Sequence, residues 1–296
     1  MRVNSLSKRN RMAYLYILPW LIGIVVFSVY PFFMSFYYSL CDYNPLSKHV
    51  FIGFDNYVKL FTKDPEFYKS LKATLLYTVY TVPCKLLMSL AIALMLNKAR
   101  KGIGVLRTVY YLPSLFGGSI AVAVLWKIMF IDNGMVNSWL RYLGIPTISF
   151  LGDPKIALPT LSLLEVWQFG SSMVLFLAAL KQVPSSLYES AKIDGANSIK
   201  RFFTITLPGI SPIIFFCIIM QTLNAMQNFT SAFVVTKGGP LHATYMLGVK
   251  LYNDGFKLLK MGYASATSWI IFSIMAVFTV LLFATSKYWV FYNDEK

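Results

Sequence analysis

Residues 13–41 of this chain contain no charged side chain. A helix needs about 20 mostly apolar residues to cross the roughly 30 Å hydrocarbon layer of a bilayer, so this run alone is long enough. Five comparable stretches follow, and the full set reads roughly 13–40, 73–96, 108–130, 157–180, 209–236 and 263–287. The prolines within them (Pro19, Pro31, Pro83, Pro113, Pro159, Pro212) are tolerable as kinks in a bundle. None of the runs shows the ten-residue alternation of outer-membrane barrel strands. The expected fold class is an all-α integral membrane protein with six transmembrane helices.

The charge content agrees. Only 13% of the residues are charged and 57% are hydrophobic, against roughly 25% charged in ordinary globular domains. A soluble protein of this size could not clothe its core with so few charges. The net charge of +15 is assigned to loops that stay cytoplasmic and meet anionic headgroups of the lipid bilayer. No basic tract with interleaved stacking aromatics lies outside the apolar spans, so nucleic acid is excluded as a partner. Cys41, Cys84 and Cys217 form no CxxC and read as small buried thiols. The basic start and long apolar run at the N-terminus read as a retained helix, since a signal peptide has a shorter apolar region.

An even number of spans puts both ends on one side. With the N-terminus inside, 1–12, 97–107, 181–208 and 288–296 are cytoplasmic. Six of the seven arginines (Arg2, Arg9, Arg11, Arg100, Arg107, Arg201) then lie inside, with Arg141 alone outside. The positive-inside rule thus favours N-in, C-in.

The stretch PSSLYESAKIDGANSIKRFFTITLP at 184–208 interrupts the apolar pattern. It reads as a helix capped by Ser185 or Ser186, with Glu189 in a first turn that favours a carboxylate. Gly195 breaks it, and a second short helix with Lys200 and Arg201 ends before Pro208. Leu187, Ala191, Ile199, Phe202 and Phe203 give this elbow an apolar face. From the residues alone, an amphipathic linker on lipid and a docking element for a cytoplasmic partner stand equal.

The spacing Glu189-Ser190-Ala191, Gly195, then Ile205, Leu207 and Pro208 resembles the EAA motif of ABC importer permeases, with Ser190 where that pattern has alanine. The fuller form ESAKIDGA…ITLP resembles the carbohydrate-uptake branch. YILPWLIGIVVFSVYPFFMSFYYSLCDYN, FIGFDNYVKLFTKDPEF, LRTVYYLP, FVVTKGGPLHAT and GYASATSW are similar to segments of that branch in the same order, so the resemblance covers essentially 13–287. It points to the maltose and glycerol-phosphate F/A-type subunit.

That resemblance implies a type I ABC importer (MetI-like) permease fold over 13–287, with cytoplasmic tails at 1–12 and 288–296. It implies a subunit of an ATP-driven sugar importer in a bacterial or archaeal cytoplasmic membrane. The implied partners are a second homologous permease, two cytoplasmic ATPase subunits and an extracytoplasmic solute-binding protein. ATPase coupling would fall on Glu189, Ser190, Ala191, Asp194, Gly195, Ala196, Leu207 and Pro208. Glu189 would face a basic group of the ATPase, and Gly195 would turn the chain where a side chain would clash. None of the 17 glycines is followed by lysine, so the chain lacks a P-loop. It is expected to be no enzyme and to carry no cofactor, with ATP and magnesium on the ATPase subunits.

Within the fifth span Cys217, Gln221, Asn224, Asn228 and Ser231 fall in a narrow arc at helical spacing. Polar side chains inside a membrane face the bundle interior or a wet cavity, so this stripe lines a substrate pathway or bonds helix to helix. Amides that donate and accept suit a sugar's hydroxyls. Lys85 and Glu165 are charges deep within spans, and such a lysine costs about 2.5–3.5 kcal/mol at the bilayer centre. They are expected to pair or to line one cavity, the alternative being two separate wet sites. His49 and His242 read as loop histidines. TKGGP at 236–240 is a pre-shaped external turn. The rival readings are an ion-coupled secondary transporter, a structural or insertion-machinery protein, and an ABC permease for a polyol or glycerol-3-phosphate.

Overall fold

A computed structural model describes residues 14, 16–98 and 102–291. The tail 1–12 therefore lies outside the described residues, as do Ala13, Leu15, 99–101 and 292–296. The chain divides into two compact units, 1–64 with 251–270 and 65–250 with 271–296.

The first unit is built on α1 (Tyr16–Ser39), none of whose most apolar window is buried. A two-stranded antiparallel hairpin follows, β1 (Cys41–Asp42) against β2 (Val50–Phe51). The short α2 (Asp55–Thr62) comes next. Asn56 fastens the hairpin to the helix end, its Nδ2 donating to the carbonyls of Ser39 and Cys41, each at 2.9 Å. In the same unit Trp269 donates to Ser35 Oγ at 3.0 Å and packs its ring on Phe32 and Phe36.

The second unit is organised on α3 (Pro65–Leu96), a helix of 32 residues. After it come α4 (Ile103–Leu115), α5 (Ile120–Phe130), α6 (Met135–Tyr142), α7 (Pro154–Trp167) and α8 (Gly170–Gln182). Then follow α9 (Ser185–Ile193), α10 (Ser198–Gly209), α11 (Ser211–Met226) and α12 (Leu247–Tyr252), while α13 (Met261–Ser286) belongs to the first unit as far as Ile270 and to the second beyond it. α3 packs along α7, α8 and α11. Tyr77, Leu161 and Met246 centre one buried cluster; Met173, Phe176 and Ile210 centre another. Outward faces stay apolar, as lipid-facing surfaces do.

Among the described residues four helices are long and apolar enough to cross a membrane, namely α1, α3, the continuous stretch Ile120–Tyr142 that holds α5 and α6, and α13, and up to six if each bent pair is one span. The expected first, second and sixth spans match α1, α3 and α13, with α3 starting earlier, at Pro65. The other three are interrupted. The third, expected unbroken over 108–130, stops at Leu115 and restarts at Ile120, from where the candidate span runs on to Tyr142. Gly118 has φ +71° there, a left-handed conformation that only glycine adopts freely. The fourth bends by 48° between Trp167 and Gly170. The fifth, expected to reach 236, ends as a helix at Met226 and resumes as a π-turn at Ala232–Thr236.

Two further π-turns, Val25–Val29 and Phe202–Thr206, each stand two residues before a proline, Pro31 and Pro208. Proline lacks an N–H and clashes with the carbonyl four residues back, and the wider register relieves both problems. This is why the elbow's second helix does not end before Pro208, as expected, but continues to Gly209, turning by 67° into α11.

α4 and α8 meet backbone to backbone at Gly170. A Cβ there would lie 2.7 Å from the Tyr110 carbonyl oxygen and 2.8 Å from Tyr111 Cα. Small residues permit such approach in membranes. Gly170→Val is expected to cost about 1–3 kcal/mol through overpacking. Thermal unfolding in detergent checks this, with Gly104→Ala, where a Cβ meets nothing within 4 Å, expected to leave the melting temperature unmoved.

Candidate functional site

The three interruptions meet around one cavity of about 390 Å³ in the second unit. The break before α5 contributes Gly117, Gly118 and Ser119; the break before α8 contributes Gln168; the end of α11 contributes Gln227 and Asn228. Irregular backbone inside a membrane is tolerated where it is buried in protein or lines a water-filled space. The hydroxyl of Ser89 on α3 lies 2.9 Å from the Phe169 carbonyl, which also accepts from the Met173 N–H at 3.1 Å, and 2.7 Å from the Lys85 carbonyl of its own helix.

Lys85 and Glu165 both line this cavity. The Lys85 Nζ donates to Glu165 Oε1 at 2.6 Å, with the two side chains 6% and 23% exposed. Among the described residues no other charged side chain lines the cavity. The wall is otherwise amide, hydroxyl, backbone and a few apolar groups, so it carries no net formal charge.

Gln221, Asn224, Asn228 and Ser231 also line it, although the helix that was to carry them stops at Met226. Asn228 donates to the Tyr77 hydroxyl at 3.0 Å and accepts from Ser231 Oγ at 2.6 Å. Gln221 donates to Ser172 Oγ at 3.0 Å, while its buried Oε1 has no partner among the described residues. Asn224 makes no side-chain hydrogen bond among the described residues. Cys217 departs from the stripe and is buried in the cluster around Met173. Gln168, Ser171, Gln227 and Thr230 complete the polar wall and went unrecognised in the sequence. The small polar pairs Gly117-Gly118 and Ser171-Ser172 inside apolar runs were the available signal.

The elbow lies apart from the cavity in sequence. α9 is entered through Pro184 in an extended conformation, and no serine side chain caps it. Ser185 is its first helical residue, where proline's preset geometry on the preceding residue does the work expected of a cap. At the other end, Ala196 N–H bonds to the Ala191 carbonyl at 2.9 Å and Gly195 N–H to that of Lys192 at 3.2 Å. With Gly195 at φ +74°, this is the two-bond C-terminal closure that calls for glycine. A Cβ on Gly195 would meet nothing of this chain within 4 Å. The backbone angle therefore requires the glycine, and no clash within the chain does. Asn197 caps α10 by accepting from Lys200 N–H at 2.8 Å. The Tyr188 and Thr206 hydroxyls lie 2.9 Å apart and tie the limbs together. Glu189, Ser190, Asp194 and Gly195 are exposed; Ala191, Ala196, Leu207 and Pro208 are half-buried. Ile193 is 87% exposed.

Residues 67–292 match the family model of the binding-protein-dependent transport system inner membrane component. The chain belongs to that family. This permease is 44% identical over 295 residues to the probable ABC transporter permease protein YesP of Bacillus subtilis, covering 99% of this chain and 96% of that one. It is 32% identical to the trehalose/maltose transport system permease protein MalF of Thermococcus litoralis, over 95% of each. In fold, the permease resembles a chain of a bacterial ABC transporter that imports the acidic polysaccharide alginate. The TM-score is 0.80 at 24% identity, over 97% of this chain and 99% of that one. Family membership sets aside the ion-coupled carrier and the insertion-machinery readings.

Proposed function

We propose that this permease is a membrane subunit of an ATP-driven carbohydrate importer and forms half of its translocation pathway. It crosses the cytoplasmic membrane of a bacterium or archaeon six times, N-in and C-in, with 13–287 as the permease domain and 1–12 and 288–296 as cytoplasmic tails. Its partners are a second homologous permease, two ATPase subunits and an extracytoplasmic solute-binding protein. ATP and magnesium belong to the ATPases, and this chain catalyses no reaction.

One observation carries the reading: three broken helices and a row of amides converge on a single polar cavity inside an apolar bundle. Discontinuous helices near the bilayer centre are how transporters build solute sites. Amides and hydroxyls that donate and accept suit a polyhydroxylated solute. The trehalose/maltose relative supports the same substrate class. The elbow, through Glu189, Ser190, Ala191, Asp194, Gly195, Ala196, Leu207 and Pro208, receives the ATPase motion and rocks the bundle between two access states.

Purification of the tagged chain from its native membranes in mild detergent, with mass spectrometry of what stays bound, tests the assembly. An ATPase and a second permease in near-equal amounts are expected. A monodisperse chain recovered alone would overturn the proposal. In the intact assembly, Asn224→Leu is expected to lower uptake severalfold, up to about tenfold, the scale of one lost hydrogen bond to a positioned substrate, with the melting temperature unchanged. Unchanged uptake would remove Asn224 from the pathway.

A further inference from the structure

A second cavity of the same unit, about 430 Å³, lies between the N-terminal half of α3, the first turns of α7 and the loop at 241–243. Along α3 its lining runs Lys69, Lys72, Leu76, Tyr80, a spacing that keeps all four on one helix face. Along α7 it runs from Lys155 to Leu158 and Pro159. Both helices thus pass from ammonium groups at their start to apolar side chains one or two turns on. His242 joins the charged end.

No carboxylate among the described residues pairs with Lys69, Lys72 or Lys155. Glu66, one turn from Lys69, faces His242 at 3.8 Å instead. The Asp153 carboxylate accepts from the Lys155 backbone N–H and caps α7. Three ammonium groups are therefore gathered round one hollow whose own lining, among the described residues, holds no carboxylate. Under the proposed orientation this face is extracytoplasmic, where the positive-inside rule gives lysine no part in fixing topology.

We infer that this cavity holds the phosphate headgroup of an anionic phospholipid, with the acyl chains running down Leu76, Tyr80 and Pro159. Lys69 to Tyr80 spans eleven residues of helix, about 16 Å at 1.5 Å per residue. That is one leaflet's half of a roughly 30 Å hydrocarbon layer, so charge and apolar wall stand at the depths where a lipid presents phosphate and chains. An acidic soluble partner would meet the lysines but not the apolar wall, where Leu76 is 36% and Tyr80 42% exposed. The inference requires a membrane-spanning chain and does not depend on the cargo.

Native mass spectrometry of the detergent-purified protein, titrated with phosphatidylglycerol or phosphatidylcholine, tests it. The wild type is expected to retain phosphatidylglycerol at least about tenfold better, since each lysine at an anionic lipid surface contributes severalfold. The triple variant Lys69→Gln, Lys72→Gln, Lys155→Gln should bring the two lipids level, and the triple arginine variant should restore the preference. Leu76→Gln should weaken phosphatidylglycerol retention while keeping the lysines. Equal retention in the wild type, or an unchanged preference in the glutamine variant, would overturn the site. Displacement of the lipid by water-soluble glycerol phosphate at the same concentration would reduce it to a free-anion site. Loss of solute-binding-protein stimulation in the glutamine variant, with lipid retention intact, would reassign the lysines to protein docking.

Discussion

Lys85→Glu and Glu165→Lys, made singly in the reconstituted importer, are each expected to abolish uptake and sharply lower the folded yield. Each places two like charges where the pair now sits at 2.6 Å. Breaking a buried ion pair costs about 3–5 kcal/mol, because the remaining charge stays desolvated. Folded proteins are stable by only about 5–15 kcal/mol in total, so a loss of that size is visible in any thermal melt. The double reversal should recover most of the stability. Replacing both residues by methionine separates two effects, since an apolar pair of similar volume is often as stable as the ion pair. Recovered stability without recovered uptake would assign the pair to the pathway as well as to packing. A double reversal that restores nothing would mean that each charge answers to its own surroundings.

The second large effect is expected at the elbow. Gly195→Val forces a β-branched residue into φ +74°, at a cost of about 1–3 kcal/mol. The closure of α9 onto Ala191 and Lys192 should open, and the exposed apolar face at Ile193 should lose its aim. Uptake should fall at least tenfold while the chain remains inserted and the core melt is unchanged. Gly195→Asn, a residue that tolerates left-handed backbone, should retain much more activity. If both variants transport like wild type, the elbow does not carry the coupling. Glu189→Ala probes the same element without altering its backbone, and uptake lost with ATP hydrolysis retained is the expected pattern.

The interruptions were the part of the fold that the sequence concealed. Hydropathy is read over about 19 residues, and Gly117-Gly118-Ser119 or Gln168-Phe169-Gly170 hardly lowers such an average. Length and greasiness therefore revealed six apolar runs but not that three of them break. Lys85 and Glu165 were legible as partners although 80 positions separate them, because two opposite charges buried in hydrocarbon have few other ways to be satisfied. Ser89 and Ser172 were not legible, since a helical serine ordinarily bonds its own preceding turn. Gly195 could be read from its place in the elbow. The continuation through Pro208 could not, because a proline after a short helix reads first as a stop, and the wider turn that carries the helix past it depends on backbone register.

The broken helices also constrain how the protein is made. α4, α7 and α8 have 13, 14 and 13 residues, about 20 Å each, and none bridges the hydrocarbon by itself. The insertion machinery cannot release them one after another into lipid as finished helices. α7 must wait for α8 before the two together can span, and both are laid against α3, which is already made. The unbroken α3 is thus the post against which the later halves are set, and biogenesis of this unit has an order written into it: the long helix first, the hollow last.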